Sequence, residues 1–236
     1  MEVITVEGNP TFSVYTQRGW RFLGNYLSLD MAVKQGQYWD GILEGKKSDW
    51  NGIRGIILFS GKARTGKNTF AEDVEKELKE TYSCRVLSIA FADFLKTICR
   101  DHYGFTGEKK GEGRSILQKV GDVYRKNYLD IFVDIVKANI YASFGLYDYI
   151  LITDLRFLNE VGKIKACFGN IVHTVRVERP KLETDLTEEQ QNHPSETEMD
   201  MYRFDDVVVN DSTEETLREK AKKYVAKIYE HPLTEE

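Results

Sequence analysis

The stretch Gly55-Ile56-Ile57-Leu58-Phe59-Ser60-Gly61-Lys62-Ala63-Arg64-Thr65-Gly66-Lys67-Asn68-Thr69-Phe70 decides the fold. Ile56–Phe59 is a short apolar run without alternation, which predicts a central strand buried on both faces. Gly61–Lys67 matches G-x-x-x-x-G-K. Beyond it Phe70, Val74 and Leu78 recur at i, i+4 and i+8, the stripe of an amphipathic helix. A glycine-rich loop between such a strand and such a helix suits phosphate. Glycines let backbone N–H groups turn inward around oxygens, and the helix N-terminus adds partial positive charge. Lys67 is then within reach of the β- and γ-phosphates of a nucleoside triphosphate. Gly61, Arg64, Thr65, Gly66, Lys67, Asn68 and Thr69 are the candidate residues for that ligand.

Outward from the loop, strands and helices alternate. Arg85–Phe91, Tyr149–Thr153, Ile171–Val177 and Val207–Val209 read as further strands. Helices are expected at about 92–102, 114–126, 128–143, 157–167, 195–202 and 213–229. The last carries Leu217, Ala221, Tyr224, Val225 and Ile228 on one side. This alternation implies crossover connections and a mostly parallel five-stranded sheet in a three-layer α/β fold. Such sheets bind ligands at the carboxyl ends of their strands. Gly61, Asp154 and Asn210 each sit just past a strand end and are expected to face one crevice. Residues 1–54 read as an N-terminal extension of unassigned role, rich in Trp and Tyr, with room for a short helix in Leu27–Leu43; residues 55–236 read as the α/β domain.

Composition narrows the function classes. The 236 residues are 41% hydrophobic and 30% charged, ordinary for a globule with a sizeable core. A net charge of −5 argues against a nonspecific nucleic-acid binder. Three scattered cysteines, an odd number, exclude a full disulfide framework and point to a reducing, cytoplasmic setting. No secretory signal is recognisable at the N-terminus, and no run of about 18 apolar residues predicts a membrane span.

Other polar residues are placed to hold a second, anionic ligand. Arg114, Gln118, Gly121 and Arg125 fall at i, i+4, i+7 and i+11, one narrow helical stripe. Gly121 would let a ligand approach the backbone between the two arginines, whose forked donors match phosphate or carboxylate. Asp154 ends an apolar strand near the loop, where an acid orients Mg²⁺ or its water or caps a helix. Arg156 follows as a phosphate contact or a surface pair. Asp93 is a candidate N-cap, and Lys96 a candidate partner for a monophosphate. Asn68 stands where a metal-binding hydroxyl is usual; its carbonyl could ligate a hard cation or cap the helix. The polar segment 178–196 interrupts the strand–helix rhythm and reads as a lid, with Arg179 at its base, a candidate contact to the nucleotide's phosphate or base or else a surface residue. His193 lies within it, and phosphoryl transfer does not demand a strong base.

Taken in order, these pieces resemble the phage-type deoxynucleoside monophosphate kinases of the P-loop nucleoside/nucleotide kinase superfamily. The matching segments are Gly61–Thr69, Phe91–Lys96, Leu117–Gly121 with Arg125, Thr153–Glu160, Val177–Pro180, His193–Glu196 and Val209–Asp211, spanning about 55–230. The resemblance implies transfer of the γ-phosphoryl of ATP to a deoxynucleoside 5′-monophosphate with Mg²⁺, in the host cytoplasm if phage-encoded. It implies that Lys67 stabilises the transferring group; Arg125, Asp154 and Arg156 are the catalytic candidates alongside it. Lys96, Arg114 and Arg125 would hold the acceptor phosphate, with Gln118 and Gly121 beside them. Asp154 and Asn68 would serve the metal, and Asn210 would lie near adenine. Related enzymes are often dimers; no nucleic-acid or membrane partner is implied. Two other readings stay open: a kinase for another small phosphorylated metabolite, and a non-catalytic nucleotide-binding module.

Overall fold

Ile56 and Leu58 pack into one hydrophobic cluster and Ile57 and Phe59 into another, all four fully enclosed. An unalternating apolar strand demands cover on both faces, and the chain supplies it. The computed structural model describes residues 52–107, 111–180 and 186–230, and the backbone of three strands ahead of them, β1 (Glu2–Thr5), β2 (Phe12–Tyr15) and β3 (Phe22–Tyr26). These three pair antiparallel in the order β1-β2-β3. The helix expected within Leu27–Leu43 lies outside the described residues.

The apolar run is β4 (Gly55–Ser60), central in a five-stranded sheet with β5 (Val86–Ile89), β6 (Tyr149–Leu155), β7 (Val172–Glu178) and β8 (Asp206–Val209). The order is β5-β6-β4-β7-β8, and every pairing in this sheet is parallel. The chain runs from β4 to one edge, returns to β6 and then crosses to β7, so the strand order switches beside β4. That switch opens a crevice at the carboxyl ends. One face is covered by α1 (Lys67–Glu80) and α8 (Glu214–Glu230). There Phe70 meets Phe59 edge-on at 6.1 Å and Tyr224 at 5.9 Å. The other face packs against α2 (Ala92–His102), α3 (Glu112–Asn127), α4 (Ile131–Ala142) and α5 (Leu158–Phe168). Ile53 is already buried in this core, and the Arg54 guanidinium lies 4.2 Å from the Tyr229 ring centroid, so packing begins just ahead of β4.

Several expected boundaries shift for local reasons. The strand expected over 85–91 stops at Ile89 because α2 begins at Ala92. The helix expected over 128–143 begins at Ile131, since Tyr128 is extended and ends α3. The helix expected over 195–202 is instead a one-turn helix α7 (Pro194–Thr197) and a 3₁₀ turn (Glu198–Met201). Before it, α6 (Glu188–Asn192) starts at a capping box in which Thr187 and Gln190 exchange hydrogen bonds of 3.3 Å.

Phe70 carries the contact between β4, α1 and α8. Phe70→Ala should cost about 3–5 kcal/mol of unfolding free energy, read as a fall in the denaturant midpoint. A loss under about 1 kcal/mol would mean that this layer repacks freely.

Candidate active site

The loop from β4 to α1 turns through left-handed backbone at Arg64 (φ 63°) and Gly66 (φ 90°). A Cβ at Gly66 would also stand 2.4 Å from Asn210 Nδ2, so glycine is required twice over. α1 begins at Lys67 with no side-chain cap, and its first-turn N–H groups have no intrahelical acceptor. The buried Lys67 ammonium donates to the Thr153 carbonyl in β6 and to Asn68 Oδ1 at 2.9 Å. The Asn68 carbonyl therefore turns to Lys67 and does not cap the helix.

Three residues expected at the crevice separate. Asp154 lines the main cavity. Gly61 does not; a Cβ there would lie 2.6 Å from the Val177 carbonyl, so its missing side chain serves contact with β7. Asn210 is buried and donates from Nδ2 to the Thr65 carbonyl at 2.9 Å, bracing the loop from behind. Thr65 is buried too, its hydroxyl donating to the Lys62 carbonyl at 3.1 Å.

A cavity of about 770 Å³ opens beside the loop, a volume suited to a small molecule. Arg64, Lys67, Asn68 and Thr69 line one side. Lys96, Arg114, Gln118 and Arg125 line it from α2 and α3, and Asp154, Arg156 and Arg179 from the ends of β6 and β7. The predicted stripe of α3 thus reaches the cavity, except Gly121. A Cβ at Gly121 would fall 2.9 Å from Arg125 Nη1 and 3.2 Å from Leu95 Cδ2. The space there is taken by the Arg125 guanidinium, not left for a ligand. Lys96 pairs with Asp93 at 2.7 Å. Asp93 is not the N-cap expected from the sequence: that position is Phe91, and Asp93 lies in the first turn of α2, where it accepts the Ala90 N–H at 2.8 Å.

Arg125 is held by aromatic faces. Its guanidinium carbon lies 3.9 Å from the Phe157 ring centroid and 4.7 Å from that of Phe132. Glu160 stands 3.7 Å away and accepts the backbone N–H groups of Arg156 and Phe157 at 2.8 and 3.1 Å. Burial pulls the Arg125 pKa down, opposed chiefly by Glu160. Burial also pushes the Glu160 carboxyl up to about 8, with the Asp154 charge adding and Arg125 opposing. Asp154 spends both oxygens on α2, accepting the Phe91 N–H at 2.8 Å and the Ala92 N–H at 3.1 Å. It is a helix cap and a cavity wall at once.

Two glutamates central to this site, Glu160 and Glu196, drew no role from sequence spacing. Glu196 is buried and joins Ala63, Arg114 and Arg156. The segment expected as a lid is seated where it is described: Gln190 Nε2 donates to the Gly111 carbonyl at 3.1 Å, and His193 Nε2 meets Asp122 at 3.0 Å. Residues 181–185 lie outside the described residues. No helix among the described residues is long and apolar enough to cross a membrane.

A carboxyl with a raised folded pKa stabilises the fold below its unfolded pKa, and that contribution is lost as pH rises through the folded value. Glu160 should therefore make stability fall between about pH 4.5 and 8. Denaturant midpoints measured across that window should decline in the wild type and flatten in Glu160→Gln. Equal slopes would show that Glu160 ionises normally.

No family model matches the chain, and no curated protein matches it. Among solved structures, an unliganded sugar kinase from Janibacter sp. HTCC2649 aligns at TM-score 0.43 and 15% identity, over 73% of this chain and 94% of that one. The structure of APE1195 aligns at TM-score 0.42 and 15% identity, over 78% of this chain and 99% of that one. Likenesses so distant carry no argument about activity, which rests on the site itself.

Proposed function

We propose that this chain is a deoxynucleoside monophosphate kinase, moving the γ-phosphoryl of ATP to the phosphate of a dNMP to give dNDP and ADP. The observation that carries the reading is that one cavity joins a triphosphate-type loop to a facing set of cations, Lys96, Arg114, Arg125 and Arg156. Two phosphate-bearing ligands would meet there end to end. The ordered motifs shared with phage-type dNMP kinases supply the class of acceptor.

Phosphoryl transfer asks a protein for alignment and charge more than for covalent chemistry. An oxygen of the acceptor phosphate attacks the γ-phosphorus, and the bond to the β-bridging oxygen breaks. Lys67, near the start of α1, would follow the charge on the transferring group. Arg125, fixed between two phenyl rings, and Arg114 would orient the acceptor phosphate, with Gln118 beside them. Arg156 and Arg179 add positive charge at the strand ends. Bound Mg²⁺ would neutralise the β- and γ-phosphate oxygens. The residues present offer such an ion little direct ligation: Asn68 and Asp154 line the cavity, but the Asn68 oxygen already accepts from Lys67 and both Asp154 oxygens accept N–H groups of α2, and no group of three or more metal-binding side chains occurs among the described residues. A cation held mainly by phosphate and water matches that sparse set.

ADP release with ATP, Mg²⁺ and a panel of dNMPs should rise with at least one monophosphate. No response to any nucleoside monophosphate overturns the reading, and response only to another phosphorylated metabolite replaces the acceptor. Lys67→Ala should lower kcat by about 10²–10³-fold. Gly121→Ala should raise KM for the monophosphate well beyond KM for ATP, because it displaces Arg125; an equal rise in both would place Arg125 elsewhere in the reaction.

A further inference from the structure

Glu196 sits on the one-turn helix α7 with a side chain only 4% exposed, and three donors converge on it from separate parts of the chain. Its Oε2 accepts the Ala63 N–H of the phosphate loop at 2.9 Å. Its Oε1 accepts from Arg114 of α3 at 2.9 Å and from Arg156 beyond β6 at 3.0 Å. The same Arg156 nitrogen also donates to the Ser195 carbonyl at 3.0 Å. One buried carboxylate thus holds a loop amide and two guanidinium groups.

One carboxylate against two guanidinium groups leaves the trio at +1, so neutralisation is not its purpose. All three residues line the cavity, and Arg114 Nε is buried without a hydrogen-bond partner among the described residues. Unopposed, the two guanidinium groups would repel each other and spread over several rotamers. Shared hydrogen bonds to one oxygen narrow that freedom, and the loop amide on the other oxygen makes the narrowing depend on where the loop sits. The carboxylate itself is anchored. Leu158 N donates to Glu198 Oε1 at 2.8 Å, Met199 is buried in the core, and His193 meets Asp122 of α3.

We propose that Glu196 is a positioning residue that couples the two ends of the cavity, locking the phosphate loop at Ala63 to the acceptor-side arginines Arg114 and Arg156. Binding of the triphosphate, which settles the loop, then also settles the arginine pair, and the reverse holds by linkage. This rests on the reading of Arg114 and Arg156 as contacts to an acceptor phosphate. A carboxylate that merely kept the place of an incoming phosphate would act in the opposite direction: its removal would tighten binding.

The test uses the full chain and compares wild type with Glu196→Gln, Glu196→Asp and Glu196→Ala. Calorimetry gives the Kd of a non-hydrolysable ATP analogue with and without a saturating dNMP, and in parallel with inorganic phosphate as the acceptor-side probe. Wild type should show reinforcement of about tenfold. Glu196→Gln should reduce it to about onefold, with the analogue's own Kd changed less than about threefold. Formate should restore part of the lost monophosphate kcat/KM in Glu196→Ala and leave wild type unchanged. Should Glu196→Ala not fold, the Gln and Asp variants decide. Coupling unchanged in Glu196→Gln, with or without a lower Tm, overturns the proposal, and so does tighter acceptor binding. A wild type that takes no dNMP sinks the kinase reading separately, while the phosphate arm still decides the role of Glu196.

Discussion

β4 has no polar face, and this constraint organises the molecule. Ile56 and Leu58 need one layer of helices and Ile57 and Phe59 another. A strand covered on both faces is served by parallel neighbours and crossover helices. Those crossovers place every strand of the sheet with its carboxyl end on one side. The loop at Gly61–Lys67, the acid Asp154 and the arginines of α3 are neighbours because that geometry leaves them one edge to share. The buried strand is also what lets the loop be exact in shape: Gly61 presses on the Val177 carbonyl and Asn210 holds Thr65 from behind.

The second constraint is electrostatic. Lys67, Arg114, Arg125 and Arg156 border one cavity, and their mutual repulsion would scatter them without partners. Each is tied down. Lys67 donates to a β6 carbonyl, Arg125 lies between Phe157 and Phe132 near Glu160, and Arg114 and Arg156 share Glu196. These partners sit on elements packed into the core, so the cations sample a narrowed set of orientations before a ligand arrives. Pre-orientation of this kind lowers the reorganisation that a charged reaction would otherwise require.

Local physics made much of this legible in the sequence. The apolar run of β4, the G-x-x-x-x-G-K spacing and the 3.6-residue stripes of α1, α3 and α8 are properties of neighbouring residues. They determined the sheet, the loop and the helix that carries Arg114, Gln118 and Arg125. The resemblance to dNMP kinases followed from the same ordered segments. Boundaries slipped where a tertiary partner intervened, as where α2 takes over from β5 beside Asp154, or where local sequence could not sustain one helix across Pro194–Met201.

Only the tertiary structure decided the tasks of Gly61, Gly121, Asn210, Glu160 and Glu196. Gly121 looked like an approach for a ligand and proved to be room for Arg125. Asn210 looked like a ligand contact and proved to brace the loop. Glu196 closes the segment His193–Glu196 that carries the family resemblance, but its task was unmarked there, because Ala63, which it binds, lies 133 positions away in sequence. Periodicity and spacing record which residues share a strand face or a helix stripe. Hydrogen bonds between a side chain and a distant backbone have no period, and they exist only once the crossovers have stacked the segments that make them.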